Sequence, residues 1–225
     1  HASVGTGLTD PTVFELLGST FNLPNPNLTP ERSLGWDAGI EQRFWNGRLT
    51  TDVTYFSSTF ENKIELTTDP VRGGFVYVNG IGEAQRRGVE VSATLALFTW
   101  LSTKATYTYT DARTSTGVEE VRRPPHSASF DVTARFLENR ARATVGVVYN
   151  SERKDFYFGP ASTDLVPLPG YTLVRALLSY DVTPWATAYV RAENLFNTRY
   201  EDVLSYRAPG FGAYAGLRVR FGALD

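Results

Sequence analysis

Arg153-Lys154-Asp155-Phe156-Tyr157-Phe158 is the chemically densest stretch of the sequence, two cations beside three aromatic rings. Such a mixture suits an anionic, aromatic chelate, for example a ferric catecholate siderophore. Arg113, Arg122 and Arg123 add positive charge from the preceding loop. The same side chains also read as ordinary solvated loop residues, or as partners of surface lipopolysaccharide, and at this level these readings stand side by side. No catalytic constellation emerges. His1 and His126 are far apart, cysteine is absent, and neither HExxH nor CxxC spacing occurs, so neither a metal centre nor a cofactor is expected. Nothing places a Ser, a His and an Asp together. Gly5-x-Gly7 lacks the strand-to-helix setting of a phosphate loop. The expectation is a protein that binds and does no covalent chemistry.

These loops must hang on strands, and the strands are legible from their period. In Phe211 to Phe221 the odd positions Phe211, Ala213, Ala215, Leu217, Val219 and Phe221 are apolar, while Gly212, Tyr214, Gly216, Arg218 and Arg220 are small, polar or charged. A two-residue period gives a sheet one greasy face and one wet face. After a short strand stub at Ala2 to Gly7, the same alternation recurs from about Ser33 to Phe44 and Arg48 to Leu66. It continues through strands centred on Val89–Leu95, Ala105–Tyr109, Phe130–Phe136, Ala141–Tyr149, Val174–Val182 and Ala186–Glu193. Leu8 to Thr29, Thr67 to Gly74, Asp111 to Arg123, Asn150 to Pro169 and Leu195 to Pro209 read as loops, rich in Pro, Gly, Asn and charge.

Three regularities say what the greasy face touches. No charge falls on it through the middle of any strand, as a lipid-facing wall would enforce at about 2–4 kcal/mol per misplaced Arg or Lys. Short turns alternate with long loops. Trp45, Trp100 and Trp185 sit at the short turns, with Phe44, Phe98, Phe136 and Phe221 at the same rim; aromatic rings collect at a water–lipid boundary. A soluble β-sandwich also alternates, but its strands usually have about 5–6 residues, shorter than these. The fold expected is all-β: an antiparallel transmembrane β-barrel wall of about nine or ten strands, with short periplasmic turns and long extracellular loops.

Composition agrees. The chain has 225 residues and a net charge of −2, which carries no nucleic-acid footprint. Mean hydropathy is −0.23, and no apolar run is long enough for a spanning helix, whereas a barrel needs none. The chain opens without Met in what reads as the tail of a strand, as a piece cut from something longer would.

Several segments then resemble one family. Glu193-Asn194-Leu195-Phe196-Asn197-Thr198-Arg199-Tyr200-Glu201, Ala208-Pro209-Gly210 and the terminal strand resemble the end of a TonB-dependent outer-membrane receptor. Asn25-Pro26-Asn27-Leu28-Thr29-Pro30-Glu31-Arg32-Ser33, Val78-Asn79-Gly80 with Gly88-Val89-Glu90, and Arg123-Pro124-Pro125-His126 are similar to segments of that family in the same order. The resemblance implies a barrel of about 22 strands around an N-terminal plug, energised by TonB through a short box before the plug. Neither plug nor box is in this sequence, so the expectation is the C-terminal portion of the barrel, residues 1–225.

It implies active uptake of a scarce bulky solute, with a ferric siderophore first and cobalamin as the nearest variant. Haem is disfavoured: its receptors pair an F-R-A-P box with N-P-N-L and a histidine between, and here the first box reads Thr9-Asp10-Pro11 with no histidine. A passive porin and a soluble β-sheet module are the competing classes. Tyr214, Leu217, Val219 and Phe221 stand where the family's barrel-insertion machinery reads its assembly signal, although the tail Gly222 to Asp225 departs from the usual terminal aromatic. Alone, such a portion is expected to transport nothing.

Overall fold

The computed structural model describes residues 1–158 and 163–221. Its elements in chain order are β1 (Ala2–Thr9), α1 (Val13–Leu17), β2 (Asn22–Leu23), β3 (Glu31–Phe44), β4 (Leu49–Glu61), β5 (Ile64–Thr68), β6 (Phe75–Asn79), β7 (Glu83–Phe98) and β8 (Leu101–Arg113). There follow β9 (His126–Phe136), β10 (Ala141–Asn150), β11 (Arg153–Phe158), β12 (Thr163–Leu168), β13 (Tyr171–Thr183), β14 (Ala186–Glu193), β15 (Glu201–Val203), β16 (Tyr206–Arg207) and β17 (Gly212–Val219). Ten of them form one sheet in the order β1-β3-β4-β7-β8-β9-β10-β13-β14-β17. That is sequence order once the loop strands are set aside, the up-and-down pattern read from the alternation.

Burial inverts the rule for a water-soluble sheet. In β3 the apolar positions Leu34 (49% exposed), Trp36 (44%) and Ile40 (72%) are open, while Gly35, Asp37 and Gly39 between them are half-buried. Val53, Phe130, Val145, Leu178, Val190 and Leu217 are exposed in the same way. Among the described residues the buried apolar side chains are Leu28, Val76, Ala84, Ala112, Ala141, Leu168 and Ala186. The largest of these, Leu28, Val76 and Leu168, lie in segments outside the ten-stranded sheet. The sheet has no core of its own; its greasy face needs lipid.

The chain divides into two compact units. The first comprises His1–Gly39, Thr54–Val89 and Thr110–Glu120. In it, β2 pairs in parallel with β6, and β6 pairs antiparallel with β5. The stretch read as loop between Leu8 and Thr29 contains α1, closed by a capping box in which Thr12 and Glu15 satisfy each other's backbone N–H groups. The strand expected to run to Leu66 ends at Glu61, because Asn62 takes a left-handed φ of 55° and β5 turns away into the small sheet.

The second unit comprises Ile40–Val53, Glu90–Tyr109 and Val121–Asp225. Its strands pair antiparallel throughout, with one register shift between Asp181 and Thr183. Across them, residues at one level share a face: Thr103, Val132, Val145, Ala176, Ala192 and Ala213 make an uncharged row. The adjacent level on the other face reads Lys104, Asp131, Gly146 and Arg175.

Gly146 has a specific task there. Arg175 Nη2 donates to Asp131 Oδ1 at 3.0 Å, reaching across the whole width of β10, and does so directly over Gly146. A Cβ at this position would collide with the Asp131 carboxylate and stand 2.7 Å from Arg175 Nε. Gly146→Ala is therefore expected to open the ion pair and to cost about 1–3 kcal/mol. In an Asp131→Ala background the same change should cost little, a comparison read from denaturant midpoints in micelles. Equal costs in both backgrounds would rule out this role.

Candidate functional site

The loop residues that the sequence brings forward lie in both units. Arg113, in the first, donates through Nε to Asp111 at 2.9 Å and through Nη1 to the Gly117 carbonyl at 3.2 Å, so it closes its own loop. The others belong to the second unit, where β11 and β12 form a hairpin paired from Arg153↔Leu168 to Phe158↔Thr163.

Period two sorts that hairpin's chemistry. Arg153 and Asp155 point to its buried side, and Lys154, Phe156 and Tyr157 are exposed, the two rings by 38% and 49%. The side chain of Phe158 lies outside the described residues. Asp155 is fully buried. Its carboxylate accepts from the Phe156 N–H (2.8 Å), from the Leu204 N–H (2.8 Å) and from Arg122 Nε (2.9 Å). Burial alone would raise its pKa; the two backbone N–H groups and the Arg122 guanidinium outweigh that and hold it below the usual carboxylate range.

Arg153 is buried against the same neighbourhood. Its Nη2 donates to the Glu201 carbonyl and to Asp202 Oδ1 at 2.8 Å, and its guanidinium stands 5.2 Å over the Tyr171 ring. Tyr171 in turn donates to Asp202 at 2.9 Å. Arg122 and Arg153 thus tie the segments around residues 122, 155 and 201–204 into a clasp. Arg122 N–H also donates to the Lys154 carbonyl at 2.7 Å. Lys154, Phe156, Tyr157 and Arg123 remain at the exposed side. The sequence does not reveal the acceptors Glu201 and Asp202 or the Leu204 amide; the one available signal is the alternation inside β11, which puts Arg153 and Asp155 on a common side.

The segments that carried the family resemblance prove to be loop fasteners. Asn25 Nδ2 donates to the Tyr77 carbonyl at 2.8 Å, and Asn79 Oδ1 accepts from the Thr29 N–H at 2.8 Å while its Nδ2 returns to the Thr29 carbonyl at 2.9 Å. The two motifs hold each other. His126 N–H donates to Ser151 Oγ at 3.1 Å, and the His126 carbonyl accepts from the Ser151 N–H at 2.9 Å. Asn194 clamps Thr198 through both its backbone groups, and Asn197 Oδ1 accepts from the Phe211 N–H at 3.0 Å.

At the opposite end of these strands the aromatic rim is in place. Phe44, Trp45, Phe98, Trp100, Phe136, Trp185 and Phe221 are all exposed. Phe98 and Trp100 stack with ring centres 5.5 Å apart. The Arg135 N–H bonds the Trp100 carbonyl and the Arg220 N–H the Trp185 carbonyl, which sets neighbouring turns at one level. On β17, Leu217 and Val219 share the greasy face, whereas Tyr214 stands on the wet face with the Arg191 guanidinium 4.8 Å from its ring. The tail Gly222 to Asp225 lies outside the described residues.

An antiparallel wall with an unshielded greasy face, an aromatic rim at its short turns and clasped loops at the other end defines an outer-membrane β-barrel. Residues 1–195 match the family model described as TonB dependent receptor-like, beta-barrel, and the chain belongs to that family, whose members are outer-membrane transporters rather than enzymes. It is 32% identical over 183 residues to the metal-pseudopaline receptor CntO of Pseudomonas aeruginosa, covering 77% of this chain and 25% of that protein. Its fold superposes on the pyoverdine outer membrane receptor FpvA from Pseudomonas aeruginosa PAO1 with a TM-score of 0.75 at 17% identity, covering 98% of this chain and 33% of the other. On the copper transporter OprC the TM-score is 0.78 at 18% identity, covering 98% and 36%. The chain thus spans about a quarter of the length of the curated relatives it matches.

Proposed function

We propose that residues 1–225 form the C-terminal portion of the barrel of a longer TonB-dependent receptor, which imports a scarce, bulky metal chelate of the siderophore class. The observation that carries the ligand reading is the β11–β12 hairpin: Lys154, Phe156 and Tyr157 on its open side, held in place by Asp155 and Arg153 on its closed side. A cation next to two rings on a fixed scaffold suits an anionic aromatic chelate. The relatives support the class, being named for metal-pseudopaline, pyoverdine and copper. In this reading an N-terminal plug and TonB belong to the complete protein, the barrel-insertion machinery reads Leu217, Val219 and Phe221, and lipopolysaccharide surrounds the outer loops. Cobalamin stays the nearest variant.

The test is equilibrium binding of the complete receptor to a panel of ferric catecholate, ferric hydroxamate and pyoverdine-type chelates. Lys154→Ala with Tyr157→Ala should weaken the best ligand by about tenfold or more, the size of one charge-assisted contact. Arg123→Ala should add a smaller loss. Unchanged affinity in the double variant, with the hairpin folded, would remove these residues from the ligand site.

A further inference from the structure

The wet face of the second unit carries more positive charge than it neutralises. Its three carboxylates are all engaged. Asp131 pairs with Arg175 at 3.0 Å, Glu193 with Arg191 at 3.3 Å, and Asp181 accepts from the Thr187 hydroxyl at 2.6 Å. Arg135, Arg142, Arg218 and Arg220 have no carboxylate within ion-pair distance among the described residues, and all four are exposed. The register puts Arg135 directly opposite Arg142, and Arg218 opposite Thr187. Like charges facing each other across a strand pair are destabilising, so this arrangement makes sense only when anions come from outside. Arg142, Arg218 and Arg220 line one hollow of about 370 Å³ with Tyr189 at its floor.

We infer that this face is the docking surface of an acidic polypeptide. The unpaired guanidiniums are distributed from β9 to β17, four strand spacings or about 19 Å. One small anion cannot bridge that distance; an acidic protein surface can, and planar guanidiniums hold carboxylates by paired hydrogen bonds. Leu177 and Tyr189 between them supply apolar contact that a diffusing chelate would not need. The inference rests on the proposal that this chain is part of a longer receptor, but it makes no use of the ligand loops, so its test and the chelate assay can fail separately.

The test places a photo-reactive benzoylphenylalanine at Tyr189, an aromatic for an aromatic, in the complete receptor in its own membrane. Irradiation should yield a cross-link to a peptide rich in Asp and Glu, in another part of the receptor or in a bound partner. A cross-link to a neutral or basic peptide, to lipid, or to nothing would overturn the inference. A second measurement needs no substitution. Phenylglyoxal should modify Arg142 and Arg218 about fivefold more slowly than the turn and loop residues Arg43 and Arg72, and about 1 M salt should abolish the difference by screening the ion pairs. Equal rates at low salt, or protection that salt leaves intact, would also overturn it.

Discussion

Val145→Lys is expected to cost about 2–4 kcal/mol of stability in a bilayer, whereas Thr144→Lys, one residue earlier, should cost well under half of that. Val145 lies in the row running from Val132 through Ala176 to Ala192 and Ala213, on the side where every neighbour is apolar and the valine itself is 49% exposed. A lysine there must either carry its charge into hydrocarbon or bend toward a distant interface. Thr144 faces Thr133 and Leu177 on the wet side, where an ammonium group stays in water. The contrast also decides between fold classes by sign. In a water-soluble sheet an exposed valine gains solubility from lysine and loses little stability. Unfolding of the receptor from phospholipid vesicles by urea reads the difference directly, and a neutral Val145→Lys would refute the lipid-facing assignment of this row.

That row explains why so much of the fold is legible in the sequence. In a barrel wall one face meets a nearly uniform solvent, so the apolar positions recur without the interruptions that packing against a particular partner imposes. Every strand of the large sheet could be found from period two, and Trp45, Trp100 and Trp185 marked its turns. The failures are local and share a cause. The break at Asn62 depends on a left-handed residue whose carbonyl is taken by Asn79, a partner 17 positions away. The short helix was legible in Thr12-x-x-Glu15, but its setting among Pro and Asn hides it. The division of labour in Arg153-Lys154-Asp155 was the hardest to see. Composition makes all three available to a ligand; the fold gives Arg153 and Asp155 to the loops and leaves Lys154 outside, because the acceptors and donors that claim them arrive from residues 201–204.

Asp155→Ala should therefore release the loops without disturbing the wall. The carboxylate holds the Phe156 and Leu204 N–H groups and Arg122. Hydrogen bonds to a charged group contribute about 1.5–3 kcal/mol each and are not additive, so a loss of roughly 2–4 kcal/mol in local stability is expected. Amide exchange at Phe156 and Leu204 should then accelerate by about 30- to 1,000-fold, while amides of β13 and β14 keep their protection. Arg122→Ala should do less, since that guanidinium is half exposed and two backbone donors remain. The pH dependence follows from a folded-state pKa that is lowered. The clasp's contribution is complete above the ordinary aspartate value of about 3.9 and disappears as pH falls through the lower value in the folded loop. Between pH 5 and 7 the exchange rate, corrected for its intrinsic pH dependence, should stay flat, and opening should begin only in acid below about pH 4. An opening transition near neutrality would mean that some other group closes these loops.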